Sequence, residues 1–144
     1  MPTLSKVALA SESQVAVGKL LGLNLQGCSV GVAYAQIEDF LATRFWGQTE
    51  LGHPSVKQCA LAKKFGFSIE DRTRGVGAAV IDDVMFQLNM EAIESHGLAP
   101  GVSVRHKTSP LPGTLVISSI KEDGTVYFKG GQGKKAWSRN LERA

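Results

Sequence analysis

The pattern of apolar and polar positions divides the chain into a helical part and a β part. As far as about residue 96, apolar residues recur every three to four positions, the spacing of one helix face. From Val102 onward the pattern changes to short runs that predict strands, at 102–106, 113–120, 125–129 and 134–138, and the run at 113–120 is rich in β-branched residues. Asp123-Gly124 predicts a tight turn between the second and third of these runs. The sequence therefore predicts an α+β chain.

The helical part contains an internal repeat with an offset of 44 residues. When residues 11–41 are set over residues 55–85 without a gap, ten of the 31 positions are identical. A repeat of this kind indicates one supersecondary unit used twice. We expect the two copies to pack on each other about a pseudo-twofold axis, because each alone would bury too little surface.

Each copy predicts a helix, an extended loop and a second helix. Ser11 and Ser55 are suitable N-caps, and a glutamine three residues later gives each the spacing of a capping box. Gly22 and Gly66 stand where each first helix ends, so we expect a positive φ at both. The linker at 45–54 contains two glycines and a proline, which mark turns. The last helical pattern ends at His96-Gly97.

Two families resemble the helical unit over about 30 residues. The segment HPSVKQCALAKKFGFSIEDRTRGVGAAVIDDV is similar to the peripheral subunit-binding domains of acyltransferase complexes, with its Pro-x-Val start and its closing Ile81-Asp82-Asp83-Val84. That ending is one residue shorter than the family's, and the family's Gly-Thr-Gly loop is absent. The same helix–loop–helix pattern also resembles DNA-binding units of SAP type. Convergence on a small helical hairpin is the alternative to both.

The β part resembles the SH3-like small barrels of KOW and Tudor type over residues 102–143. The resemblance is carried by Gly113-Thr-Leu-Val-Ile-Ser-Ser-Ile, by Asp123-Gly124-Thr-Val-Tyr-Phe, and by Trp137 with Leu141 in a closing turn. It implies a small barrel, with loops at Thr108–Pro112 and at the glycine-rich tip 130–133. Such barrels bind DNA, RNA, peptides or a neighbouring domain, so the resemblance implies no single function.

The predicted organisation has three parts. Residues 1–10 form an N-terminal tail, residues 11–96 the duplicated helical domain with copies at 11–41 and 55–85, and residues 97–144 the SH3-like module.

Charge is distributed unevenly between the two parts. Residues 1–95 carry 8 basic and 10 acidic side chains, a net charge of −2, whereas residues 96–144 carry 8 basic and 3 acidic, a net charge of +5. Basic side chains neutralise phosphates, and exposed aromatic rings can stack on bases. The candidate nucleic-acid-binding residues are Arg105, Lys107, Lys129, Lys134, Lys135, Arg139, Tyr127 and Trp137. The alternatives are an ordinary basic surface, and a Trp137 or Tyr127 ring turned into the core.

Our first hypothesis is therefore a non-enzymatic nucleic-acid-binding accessory protein. The second is a protein-interaction adaptor that presents apolar residues of the helical unit to a partner, namely Phe45, Trp46 and Phe67. A contiguous basic surface favours the first hypothesis, and a contiguous apolar surface favours the second.

Searches for other chemistry in the sequence indicate none. We find no G-x-S-x-G, H-E-x-x-H or P-loop motif, so we expect no catalytic site. Cys28 and Cys59 lack metal-ligand spacing and are interpreted as small apolar side chains, so we expect no metal and no cofactor. No apolar run approaches the length of a membrane span, and the N-terminal residues lack a signal core. We therefore expect a cytoplasmic protein with no membrane partner.

Overall fold

A computed structural model describes residues 3–108, 113–131 and 133–144. Four helices are followed by a five-stranded antiparallel sheet, so the α+β class is confirmed. The chain divides into two compact units, Met1–Val84 and Met85–Ala144. This division falls inside the fourth helix and earlier than the expected boundary at 96/97, because Ile93 packs against the core of the sheet.

The helices begin at local capping signals. They span Glu12–Leu21 (α1), Val30–Phe45 (α2), Val56–Lys64 (α3) and Arg74–His96 (α4). Ser11 and Ser55 each form a reciprocal capping box with the glutamine three residues later. Gly22 and Gly66 have φ values of 80° and 88°, which confirms the positive φ expected at both.

Equivalent contacts recur at the offset of 44 residues. α1 and α3 begin 44 residues apart, as do α2 and α4. The N–H of Leu23 donates to the carbonyl of Gly18, and the N–H of Phe67 donates to the carbonyl of Ala62. The two copies therefore share the starts of both helices and this bond at the end of the first helix.

Two carboxylates connect the second helices of the copies. The hydroxyl of Thr73, which caps α4, donates to Asp39 on α2. The hydroxyl of Ser29, which caps α2, donates to Asp83 on α4. Ser29 and Thr73 are repeat equivalents, and so are Asp39 and Asp83, so the contact is reciprocal.

The expected N-terminal tail pairs with the helical unit. Leu9 forms an antiparallel bridge with Ser29, the N–H of Ala10 donates to the carbonyl of Cys28, and the N–H of Val30 donates to the carbonyl of Ala8. Residues 8–10 are therefore part of the unit rather than a separate segment, whereas residues 1 and 2 lie outside the described residues.

The second unit contains the sheet. Its strands are Ser103–His106 (β1), Leu115–Ile120 (β2), Thr125–Phe128 (β3), Lys135–Trp137 (β4) and Leu141–Arg143 (β5), in the spatial order β4-β3-β2-β1-β5. A 3-10 turn at Ser138–Asn140 precedes β5. The core of the unit consists of Leu98, Val104, Ile117, Val126, Phe128 and Leu141.

The described sheet is open, with β4 and β5 at its edges. Barrel closure therefore stays a prediction. β5 was not predicted, since three residues are too short for a periodic signal. The loop predicted up to Pro112 lies outside the described residues from 109 onward, and Gln132 of the predicted tip lies outside them as well.

Candidate nucleic-acid interface

The register of β3 and β4 places two aromatic rings on one side of the sheet. Tyr127 lies opposite Lys135, Thr125 lies opposite Trp137, and between these pairs Val126 lies opposite Ala136. Val126 is fully buried in the core, so its neighbours along each strand point to the other side. We call the surface formed by Tyr127, Lys135 and Trp137, together with Lys121 and Arg139 beside the rings, the ring face.

Both rings carry a cation. The guanidinium of Arg139 lies 5.0 Å from the centroid of Trp137, and Lys121 Nζ lies 5.4 Å from the centroid of Tyr127. Trp137 is 40% exposed and Tyr127 is half-buried, so Trp137 is not a core residue and its ring reaches solvent. Cations and aromatic rings are therefore adjacent on one accessible surface. Lys121 is not among the residues expected at the interface, although it lies at the start of the turn into β3, where its N–H donates to the carbonyl of Thr125.

Arg139 is held in position by a buried amide. Asn89 on α4 is 1% exposed, and its Oδ1 accepts from the backbone N–H of Arg139 at 3.1 Å and from Arg139 Nη1 at 3.3 Å. Asn89 Nδ2 donates to the carbonyl of Asp123 at 3.2 Å. Partial burial lowers the pKa of Arg139, but arginine stays charged at neutral pH. Because Asn89 is neutral, it positions this cation without neutralising it. Sequence reasoning gave no signal for Asn89, which occurs in a helical stretch.

Lys129, Lys134 and Lys135 add exposed charge around the ring face. Lys129 follows the buried Phe128 and therefore points to the same side as Tyr127. Lys134 ends the tip, where its N–H donates to the carbonyl of Gly131. Within the parts of the chain that the structure describes, none of these three lysines forms an ion pair. Their charges are available to an anionic partner.

An acidic side chain partly offsets the charge at the turn. The Asp123 carboxylate accepts from the N–H of Thr125 at 2.9 Å, and this hydrogen bond, with a smaller contribution from the charge of Lys121, lowers the pKa of Asp123. Lys121 therefore contributes less net positive charge than the lysines at 129, 134 and 135.

Arg105 differs from the expectation. It lies on β1, and its Nε is 2.7 Å from Oε1 of Glu142, which faces it across the β1–β5 pair. Its charge is thus offset by a neighbour that only the register of β5 reveals. In the sheet order, β2 lies between β1 and β3, and the register of β2 with β3 shifts between Ile117 and Ser119. Lys107 is exposed just beyond β1.

The residues of the adaptor hypothesis are not equally accessible. Phe45 and Trp46, at the end of α2, are 67% and 63% exposed, whereas Phe67 is only 9% exposed. Phe67 follows the left-handed Gly66, which turns the chain back towards α3 so that the ring packs into the unit. Phe67 is therefore not available to contact a partner protein, and Phe45 and Trp46 are the residues of the adaptor hypothesis that remain exposed.

The first unit contains a cavity of about 370 Å³. Its lining is mainly apolar, with Cys28, Arg72 and Asp83 among the polar residues. Cys28 Sγ accepts a weak hydrogen bond from Gln36 Nε2 at 3.8 Å, and both cysteines are free. Burial raises the pKa of Asp83. Among the described residues no cluster of three or more histidine, cysteine or acidic side chains could hold a metal ion.

Comparison of the chain with protein-family models, with curated proteins and with solved structures finds no match. In the described part of the chain, no helix has the length and apolar character needed to cross a membrane.

Proposed function

We propose that this chain is a non-enzymatic nucleic-acid-binding accessory protein whose second unit provides the binding surface. One observation carries the proposal: Tyr127, Lys135 and Trp137 share one side of the sheet, where Lys135 and Trp137 are exposed and a cation lies over each ring. Phosphates supply the charge complement of the lysines, and bases supply flat surfaces for the rings.

The proposed contact set is smaller than the sequence-based one. Arg105 already faces Glu142, so we give it no phosphate contact. Lys129, Lys134, Lys135 and Arg139 remain in the set, and Lys107 is a peripheral cation. About four phosphate contacts predict weak binding that falls steeply with added salt.

Two features of architecture belong to the same proposal. We propose that the second unit is an SH3-like module, supported by the sequence of strand, loop, strand, Asp-Gly turn, strand, short strand and closing turn. We propose that the first unit is a duplicated helix–loop–helix, supported by the capping boxes and hydrogen bonds that recur 44 residues apart. It would act as a scaffold or a second contact surface. A cytoplasmic location stays a prediction.

The test is titration of the whole protein with labelled duplex DNA, single-stranded DNA and RNA at about 50 mM and about 200 mM salt. A double variant, Lys134→Glu with Lys135→Glu, should bind at least about tenfold more weakly, because it removes two cations and adds two anions. The matched control is Lys57→Glu with Lys63→Glu, which makes the same charge change on the exposed side of α3. Equal losses in both double variants, or no binding by the folded wild type at low salt, would contradict the proposal.

The adaptor reading is the second candidate. Phe45 and Trp46 are adjacent and about two-thirds exposed, and aromatic residues are enriched at the centres of protein interfaces. A Phe45→Ser, Trp46→Ser double variant leaves the ring face intact. Loss of a partner from co-purification with this variant, with nucleic-acid binding absent in the wild type, would favour the adaptor.

A further inference from the structure

We infer that the ring face binds single-stranded nucleic acid, with one base stacked on Trp137 and a second base on Tyr127. This inference rests on the proposed function and adds the strandedness of the ligand and the residues that sense it. The observation behind it is the placement of two rings on the same side of neighbouring strands, Trp137 exposed and Tyr127 half-buried, each with a cation over it.

The spacing of the rings does not match stacked bases. Tyr127 lies opposite Lys135, two residues along β4 from Trp137, so the two aromatic residues are diagonal neighbours. Diagonal neighbours across an antiparallel pair are about 7–8 Å apart, whereas successive bases in one strand of B-DNA are about 3.4 Å apart. A strand whose neighbouring bases engage both rings must therefore be unstacked. A duplex offers only the edges of its bases, because their faces are covered within the stack.

The cations favour the backbone of the same strand. The Arg139 guanidinium is held over the Trp137 ring by the hydrogen bond from Nη1 to Asn89, so this side chain loses less conformational entropy on binding than a free one. Lys135 lies directly opposite Tyr127 and two residues from Trp137 on the same strand, so it is a neighbour of both rings. A strand that crosses the rings thus passes cations at each step, and stacking of this kind tolerates any base.

The rival geometry is insertion of β3 and β4 into the major groove of a duplex, which admits a two-stranded ribbon. In that geometry the rings contact groove edges and stack on no base. The two geometries are distinguished by whether the protein prefers single-stranded or duplex nucleic acid, and by whether binding quenches the emission of Trp137.

The chain has two tryptophans, Trp46 and Trp137, which permits a direct optical test. In a Trp46→Phe variant the emission comes from Trp137 alone, and stacking on a base should quench it. Saturation with a single-stranded oligonucleotide of about 12 nucleotides, long enough to span one such site, should quench most of this emission. The matched control is a Trp137→Phe variant, in which the exposed Trp46 on the first unit should keep its emission.

Affinity provides a second readout in the whole protein. Trp137→Leu should weaken single-strand binding by about 5- to 150-fold, the equivalent of one lost base stack, and should change duplex binding little. Tyr127→Leu should also weaken single-strand binding. Circular dichroism of each variant checks folding, and the exposure of Trp137 makes its replacement tolerable.

The outcomes distinguish this inference from the proposed function. Tighter binding to single strands, with quenching in Trp46→Phe and none in Trp137→Phe, supports both. Binding that prefers the duplex, or that leaves Trp137 emission unchanged, overturns the stacking inference while nucleic-acid binding stands. No binding to any nucleic acid by the folded wild type overturns both.

Discussion

Replacement of Asn89 by alanine tests how the second unit is held together. Asn89 lies on α4 and is almost completely buried. Its amide forms three hydrogen bonds, accepting two from Arg139 and donating one to the carbonyl of Asp123. The substitution removes all three at once and leaves the backbone N–H of Arg139 without this acceptor.

The expected loss in the free energy of unfolding depends on how deeply each hydrogen-bond partner of Asn89 is buried. A buried polar group that loses its hydrogen bond costs about 1–3 kcal/mol, and the cost is smaller where water replaces the partner. Arg139 is half-buried and Asp123 is exposed, so we expect a total loss of about 2–4 kcal/mol rather than the full sum. A unit of about 60 residues has a stability of about 3–9 kcal/mol, so this loss is a large share of it.

Urea unfolding in the Trp46→Phe background, followed by Trp137 emission, measures the second unit selectively. The control is Glu142→Ala in the same unit, since Glu142 also accepts a side-chain hydrogen bond, from Arg105 Nε, but at the surface. We expect the control to change stability by less than about 1 kcal/mol. A loss at Asn89 no larger than the loss at Glu142 would refute the reasoning.

Three further predictions concern single positions. Gly124→Ala should destabilise the second unit by about 3 kcal/mol or more, because φ is +92° and the added Cβ would lie 2.5 Å from Cβ of Asn89. The control is Gly130→Ala, where φ is +67° but no atom lies near the added Cβ, so it should cost about 1 kcal/mol in the same urea experiment. Thr73→Ala removes the cap of α4 and a bond to a carboxylate on α2, so thermal unfolding of the first unit should show a loss of about 1–2 kcal/mol, and an unchanged midpoint would contradict the capping role. Burial raises the pKa of Asp83 in the folded chain, so ionising it costs the folded state more, and the free energy of unfolding should fall as the pH rises through the unfolded and then the folded pKa. Asp83→Asn should remove that contribution, so wild type should lose stability relative to the variant as the pH rises, and parallel pH profiles of the two proteins would contradict a raised pKa.

Local signals explain what could be read from the sequence. The capping boxes at Ser11 and Ser55 involve residues three apart, so the spacing alone predicts where α1 and α3 begin. The same holds for Gly22 and Gly66, because helices commonly end in a left-handed residue and glycine adopts that conformation without a Cβ penalty. The Asp-Gly turn between β2 and β3 was found for the same reason.

The candidate site depended on information that no short window contains. The sequence could not decide whether Trp137 points into the core or outward, because a strand of three residues has its sides assigned only by its register with β3. Glu142 offsets the charge of Arg105 only because β1 pairs with β5, and these two residues are 37 positions apart along the chain. Asn89 is 50 residues from Arg139 along the chain, so no local sequence pattern could predict that the two residues are in contact.

The salt dependence of binding by the unmodified protein tests the central claim most directly. With about four phosphate contacts, the plot of log affinity against log salt concentration for single-stranded DNA should have a slope of about −2.8. A slope shallower than about −0.7, less than one contact, or no binding by the folded protein at the lowest salt, would contradict the account of the second unit as a nucleic-acid-binding module.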